Sequence, residues 1–213
     1  MTAPEQVIYM DNNATTRVAP EVLDAMMPYL RDYYGNPSSM HTFGGQVGRA
    51  VARAREQVAA LLGADPGEIV FTSCGTESDS TAILSALQTY PEKNHLVTTR
   101  VEHPAVKNLC DNLELFTGRK YHTTRLHVHS DGTLDVQRFR DSLTDETVIV
   151  SAMWANNETG VIFPVEEMAR IARERGILFH TDAVQAVGKI PINLRDSAID
   201  FLSLSGHKLH APK

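Results

Sequence analysis

The sequence predicts an α/β domain: a mostly parallel central sheet with helices on both faces. Three observations carry that prediction. Five short segments rich in Val, Ile, Leu and Phe recur along the chain: EIVFTS (68–73), HLVTTRV (95–101), TVIVSAMWA (147–155), ILFHTDA (177–183) and FLSLS (201–205). Patterns of helical period separate most of them, and strand–helix alternation is what parallel pairing with covering helices requires. The 213 residues, 42% hydrophobic and 22% charged, suffice to bury a substantial core. No repeat, low-complexity tract or linker divides them, so one domain over 1–213 is expected.

The elements follow in order. EVLDAMMPYLRDYYGN (21–36) reads as a helix bent by Pro28 and ended at Gly35-Asn36, with Met26, Met27, Tyr29, Tyr33 and Tyr34 as its packing residues. GNPSSMHTFGG is loop, and His41 within it has no assignable chemistry. Val47, Val51, Ala54, Val58, Leu61 and Leu62 repeat at helical spacing over 45–63, with Arg49, Arg53 and Arg55 facing water and Gly63 as the stop. Past the strand at 68–73, Ser73-Cys74-Gly75-Thr76 opens a helix, and NLCDNLEL places Cys110 on another that packs against the sheet. HTTRLHVHS allows a strand with His127 and His129 on one face and His122 nearby; without a further ligand at suitable spacing, a surface strand is favoured over a zinc site. In VEEMARIARERG, Val165, Met168, Ala169 and Ala172 line one face, Glu166 precedes Arg170 by four, and Gly176 terminates. His180, inside an apolar strand, reads as a core histidine with a hydrogen-bond partner.

Composition excludes several classes. A net charge of -6 without any run of Lys or Arg argues against a nucleic-acid surface, and no apolar stretch is long enough to span a membrane. The opening MTAPEQVIYMDNNATT lacks a basic segment followed by an apolar one, so no secretory signal is read and a cytoplasmic location is expected. Cys74 and Cys110 form neither a disulfide framework nor a CxxC metal site and are expected as reduced thiols.

Each strand runs directly into a polar cluster: SCGTESDS, VEHPAV, ANNETG, DAVQAVG and GHKLH. Open parallel sheets bind ligands at the carboxyl ends of their strands, so five such ends are expected to converge on one site. Singly, the clusters are ambiguous. Ser73-Cys74-Gly75-Thr76 fits a phosphate cradle of free N–H groups at a helix start, but taken alone a plain threonine cap is the favoured reading. His103 before Pro104 fits a loop histidine as well as a ring stacked on an aromatic ligand. Asp182 fits a helix cap, and Gln185 fits packing polarity.

Lys208 changes the balance. Lysine is seldom buried unpaired, yet this one follows an apolar strand and a Gly turn, where its side chain points into the site. Partial desolvation lowers the amine's pKa and makes it a nucleophile. An amine for an aldehyde (Lys208), a carboxylate for a pyridine nitrogen (Asp182), phosphate ligands (Gly75, Thr76, Ser205, His207) and groups that fix a ring (His103, Gln185) are together what pyridoxal 5'-phosphate (PLP) requires.

DNNATTRV (11–18), GNPSSMH (35–41), EIVFTSCGTES (68–78), EHPAV (102–106), WANNETG (154–160), FHTDAVQAVGK (179–189) and LSLSGHKLHAPK (202–213) resemble the cysteine desulfurases of the NifS and IscS type, within the class V aminotransferase group. SCGTESDSTAILSAL and MWANNETG are closer to the nitrogen-fixation branch. The resemblance implies the large domain of a fold-type I PLP enzyme. It makes Lys208 the Schiff-base lysine and Asp182 the partner of the pyridine nitrogen. Gln185 would contact the ring hydroxyl, and His103 would stack on the ring and move protons. Gly75, Thr76, Ser205 and His207 would hold phosphate, and Asn157 would lie near the cofactor and the substrate carboxylate. It further implies conversion of L-cysteine to L-alanine, sulfur leaving as an enzyme persulfide for an iron-sulfur scaffold protein, nitrogenase cofactor assembly as the destination, and a homodimer in the full-length form.

The family's attacking cysteine, its smaller carboxyl-terminal domain and the strand after HAPK would fall beyond Lys213, and neither Cys74 nor Cys110 matches the attacking position. The sequence is therefore expected to represent the amino-terminal portion of the large domain, with its carboxyl-terminal part missing. Two alternatives stand beside the desulfurase: another class V PLP enzyme such as a selenocysteine lyase or an aminotransferase, and a catalytically silent cofactor-binding fragment.

Overall fold

The computed structural model describes residues 7–116 and 121–213. Residues 1–6, part of the opening read as carrying no secretory signal, lie outside them. The order is α1 (Pro20–Arg31), α2 (Thr42–Leu62), a 3-10 turn (Pro66–Glu68), α3 (Gly75–Thr89), β1 (His95–Thr99), α4 (Pro104–Phe116), β2 (His122–Leu126), α5 (Val136–Ser142), β3 (Thr147–Ser151), α6 (Val165–Glu174), β4 (Leu178–Asp182), β5 (Phe201–Ser203) and a second 3-10 turn (Gly206–Lys208). The strands pair in the order β2-β1-β3-β4-β5, every neighbouring pair parallel. This is the α/β layering expected from the alternation. No described helix is long and apolar enough to cross a membrane.

β1 and β3 are buried at every position, as central parallel strands must be when helices cover both faces. Their side chains divide between two cores. Leu96 and Ile149 pack with Ile83 and Leu87 of α3 and Val106 and Leu113 of α4. Val97, Val150 and Phe179 pack on the other face with Phe139 of α5 and Met168 and Ala172 of α6. Burial of a side chain such as Phe179 stabilises the fold by roughly 1.5–3 kcal/mol relative to exposure. Gly63 ends α2 as expected, in the left-handed region at φ 69°. His41, without assigned role in the sequence, caps the other end: its Nδ1 accepts the Gly44 N–H at 3.1 Å.

Three expectations are corrected. EIVFTS (68–73) forms no strand: Glu68 closes a 3-10 turn, and Val70 and Phe71 are exposed. A strand exists through its ladder, and no pairing of the described strands includes this segment, whose Ile69, Val70 and Phe71 line the same cavity as Leu202 and Leu204. Arg55 holds it instead, donating to the Ile69 carbonyl and lying 4.9 Å from the Phe71 ring centre. The first helix stops at Arg31, short of Gly35-Asn36, and Tyr29, Tyr33 and Tyr34 are exposed. α1 buries no residue, so only local propensity could extend it, and Asp-Tyr-Tyr-Gly supplies little. Third, the strand in HTTRLHVHS is His122–Leu126, leaving His127 and His129 beyond it, because pairing runs only as far as Thr99↔Leu126 at the end of β1.

Candidate functional site

All nine residues singled out in the sequence line one cavity of about 1200 Å³ at the carboxyl ends of the strands. α3 contributes Gly75 and Thr76. Its N-cap Cys74 is extended (φ -165°, ψ 170°) and makes no side-chain capping hydrogen bond, and Gly75 and Thr76 of the first turn line the cavity, where the positive end of the helix dipole suits an anion. A Cβ built on Gly75 would lie 3.6 Å from Val184 and 3.7 Å from Ser205, which shows how closely the start of α3 approaches the turns after β4 and β5. Ser205 and His207 belong to the second of those turns. Burial, then the charges of Lys208 and Lys213, hold the His207 imidazole below its ordinary pKa.

Lys208 ends the 3-10 turn after β5. Its Nζ donates to the Ala14 carbonyl at 2.7 Å and to the Asn13 carbonyl. Burial and the charge of Lys189 lower the amine's pKa, against the opposing carboxylates of Asp11 and Asp182. The lowering read from sequence is thus present, and the two backbone carbonyls that accept from Nζ act in the opposite direction, favouring the charged amine. Gln185 bridges the same region: Nε2 donates to Asn13 O at 2.8 Å and Oε1 accepts from Lys189 Nζ at 2.7 Å.

Asp182 is the last residue of β4 and is buried. Its Oδ1 accepts the Val184 N–H at 3.0 Å. Burial and the neighbouring Asp79 carboxylate push its pKa up to about 6, opposed by His180 and His103. His103 is exposed toward the cavity and its Nδ1 accepts the Ala105 N–H at the start of α4. Asn157 sits on a loop that the buried Asn156 organises: Asn156 Oδ1 accepts from the Glu158 and Thr159 amides at 3.0 and 2.9 Å. Its Nδ2 donates to Val101 O at 3.2 Å, fastening that loop to the one carrying His103.

Sequence reasoning missed the floor beneath these groups. Asp79, one turn beyond Thr76, is buried 3.5 Å from Nε2 of the fully buried His180, whose ring also contacts Ser151 Oγ at 2.9 Å and Ser203 Oγ at 3.0 Å. Glu102, beside His103, is buried too. Its Oε1 accepts from Thr99 Oγ1 at 2.6 Å and from the Met153 N–H at 3.0 Å, and burial pushes its pKa up to about 8. The available signal was position: Asp79 shares a helix face with Gly75 and Thr76, and Glu102 directly precedes a residue already chosen.

The two thiols differ in kind. Cys110 is buried in α4 and burial pushes its pKa up to about 12, so it offers no thiolate. Cys74 is exposed in the cavity wall, and the Glu77 amide followed by the Ser73 hydroxyl lowers its pKa.

A family model described as Aminotransferase class-V matches residues 8–213. The chain belongs to the class V aminotransferase family. This class V aminotransferase chain is 63% identical over 207 residues to a cysteine desulfurase of Nostoc sp., covering 97% of itself and 51% of that relative. It is 58% identical to the cysteine desulfurase NifS of Azotobacter vinelandii, with the same coverage. Among solved structures, a NifS-like protein superposes with a TM-score of 0.91 at 41% identity, covering 97% of this chain and 56% of that one. A structure described as SspA in complex with cysteine gives a TM-score of 0.92 at 38% identity, with 97% and 59% covered. The class V aminotransferase chain thus spans about half the length of the curated relatives it matches.

Proposed function

We propose that this chain is the cofactor-binding portion of a PLP-dependent cysteine desulfurase, which converts L-cysteine to L-alanine and passes the sulfur on as an enzyme persulfide. The observation that carries the reading is the meeting of Lys208, Asp182, His103, Gln185 and the uncapped start of α3 in one cavity. The donor set fits PLP. A phosphate needs amide and hydroxyl donors at a helix start, and a pyridine nitrogen needs a buried carboxylate that retains affinity for a proton. Asp182, pushed up to about 6, has that affinity.

In this reading Gly75, Thr76, Ser205 and His207 hold the phosphate, and Asp182 keeps the proton of the ring nitrogen. Gln185 orients the ring oxygen. Lys208 presents its amine to the cofactor aldehyde after giving up the proton it holds against Asn13 and Ala14. His103 covers the ring and moves protons, and Asn157 faces the substrate carboxylate. When bound, PLP supplies an electron sink that acidifies the substrate Cα–H.

The finer features are also proposals: transfer to an iron-sulfur scaffold protein, a role in nitrogenase cofactor assembly, dimerisation and a cytoplasmic location. The name of the Azotobacter relative supports the second of these. Cys110, buried and with its thiol raised to about 12, offers no attacking thiolate, which leaves Cys74 in the cavity wall as the other thiol and a second reading beside the first: cofactor binding without desulfuration. One experiment separates the readings. The purified chain is mixed with PLP, its near-ultraviolet and visible spectrum is recorded against Lys208→Ala, and L-cysteine is then added. A band that needs Lys208 and shifts with cysteine supports the cofactor site; accompanying sulfide and alanine support the desulfurase, and their absence supports the silent portion. No band in a folded chain overturns both.

A further inference from the structure

Residues 11–19 carry a motif, DNNATT, to which the cofactor reading assigns no chemistry. They cross the cavity as a strap, knitted to a turn about 190 positions away in sequence. The Thr16 N–H and Oγ1 both donate to His207 O at 2.9 Å, and Thr16 Oγ1 accepts the His210 N–H at 2.8 Å. Thr15 Oγ1 lies 3.1 Å from His207 Nδ1, and the Ala19 N–H donates to His210 O at 2.9 Å. The strap is therefore fixed at one end by side chain and backbone together.

Its contacts with the site meet at one residue. The Asn13 carbonyl accepts from both Gln185 Nε2 and Lys208 Nζ, while the Asn13 side chain donates to Asn157 O at 2.8 Å. Three groups from three separate segments thus take their relative placement from a single residue, two through its carbonyl and one through its side chain. The Ala14 carbonyl gives the lysine ammonium a second acceptor at 2.7 Å. Two carbonyl acceptors favour the charged form of an amine, whereas a nucleophile needs the neutral form.

We propose that Asn13 is a positioning residue: through its side-chain bond to Asn157 it holds the strap carbonyls where they receive the Lys208 ammonium and orient Gln185. The role rests on the PLP reading for its purpose but not for its test. The strap gives the lysine a defined resting place whenever its amine is not engaged. The other titratable groups that face Lys208 are Asp11 on the strap, Asp182 at the end of β4, Lys189 in the turn after it and the neighbouring His207. Among the described residues none of these four bonds Asn13 directly, although Lys189 Nζ donates at 2.7 Å to the Gln185 that Asn13 orients.

The test is made on the unliganded chain. Lys208 labelling by an amine-selective acylating reagent is followed across a pH series by peptide mass spectrometry, with surface Lys107 as internal reference. Asn13→Ala is expected to raise the Lys208 rate by about tenfold at fixed pH, the equivalent of one unit in the amine's titration, while the Lys107 rate and the thermal midpoint stay put. Thr16→Val, which cuts the strap at its other anchor, is expected to do the same, so the inference stays testable should Asn13→Ala fail to fold. An unchanged Lys208 pH profile in a folded Asn13 variant, or in the Thr16 variant, overturns it. The PLP spectrum is then read on the wild-type chain. A Lys208-dependent band with no labelling change sinks the strap alone, and a labelling change with no band sinks the cofactor reading alone.

Discussion

Replacing Glu102 by Gln should remove a pH dependence of stability that the wild-type chain carries between about pH 6 and pH 8. The carboxyl is fully enclosed and sits near Asp182 and Asp79, and its pKa is pushed up from 4.5 to about 8. In the unfolded chain it ionises near the lower value, so across that interval the folded state holds a proton that the unfolded state has released. Stability is then greatest below the unfolded pKa and falls as pH rises through the folded one. A shift of that size corresponds to an upper limit of about 5 kcal/mol over the whole interval, of which about 2 kcal/mol falls between pH 6 and pH 8. That window lies above the Asp182 transition at about 6, which keeps the two carboxyls separable. Gln keeps an oxygen to accept from Thr99 and the Met153 amide and cannot ionise, so its curve should be flatter by that amount. Urea unfolding followed by far-ultraviolet circular dichroism at several pH values gives both curves. Parallel curves for Glu102→Gln and wild type would show that Glu102 is already ionised in the fold, and the burial argument would fail.

Further outcomes are expected. Gly63→Ala should lower stability by at least about 1 kcal/mol in chemical denaturation, because the position needs a left-handed backbone and a Cβ there would run into the Asn193 side chain. Phe179→Ala, opening a hole in the middle of the sheet, should cost about 3–5 kcal/mol by the same assay. Iodoacetamide at neutral pH should modify Cys74 readily and Cys110 only after unfolding, as mass spectrometry of the two peptides would report, and PLP should slow the Cys74 reaction if its phosphate takes the start of α3. Lys208→Ala should leave the unfolding midpoint close to wild type or higher while abolishing the cofactor band, since the amine has only a modest burial and two backbone acceptors to lose.

By itself the sequence determined the layering and the membership of the site. Apolar runs and period-3.6 patterns are local, so TVIVS declares a strand buried on both faces and VEEMARIARE declares a helix and its buried face. Because parallel strands all point one way, the polar clusters at and after β1, β3, β4 and β5 must emerge on one side of the sheet, which is why His103, Asn157, Asp182, Gln185, Ser205, His207 and Lys208 line one cavity, whereas Gly75 and Thr76 reach it on the start of α3 with no strand before them. Where a segment depends on a partner distant in sequence, local pattern was insufficient. EIVFTS has every strand property except a neighbour to bond, and α1 has an apolar stripe that nothing described covers. The charge states of Asp182 and Glu102, the pairing of Asp79 with His180 and the strap over Lys208 were likewise decided only by tertiary structure. Burial and Coulomb interaction act through space, and the groups concerned lie on different elements. No one-dimensional pattern records their distances.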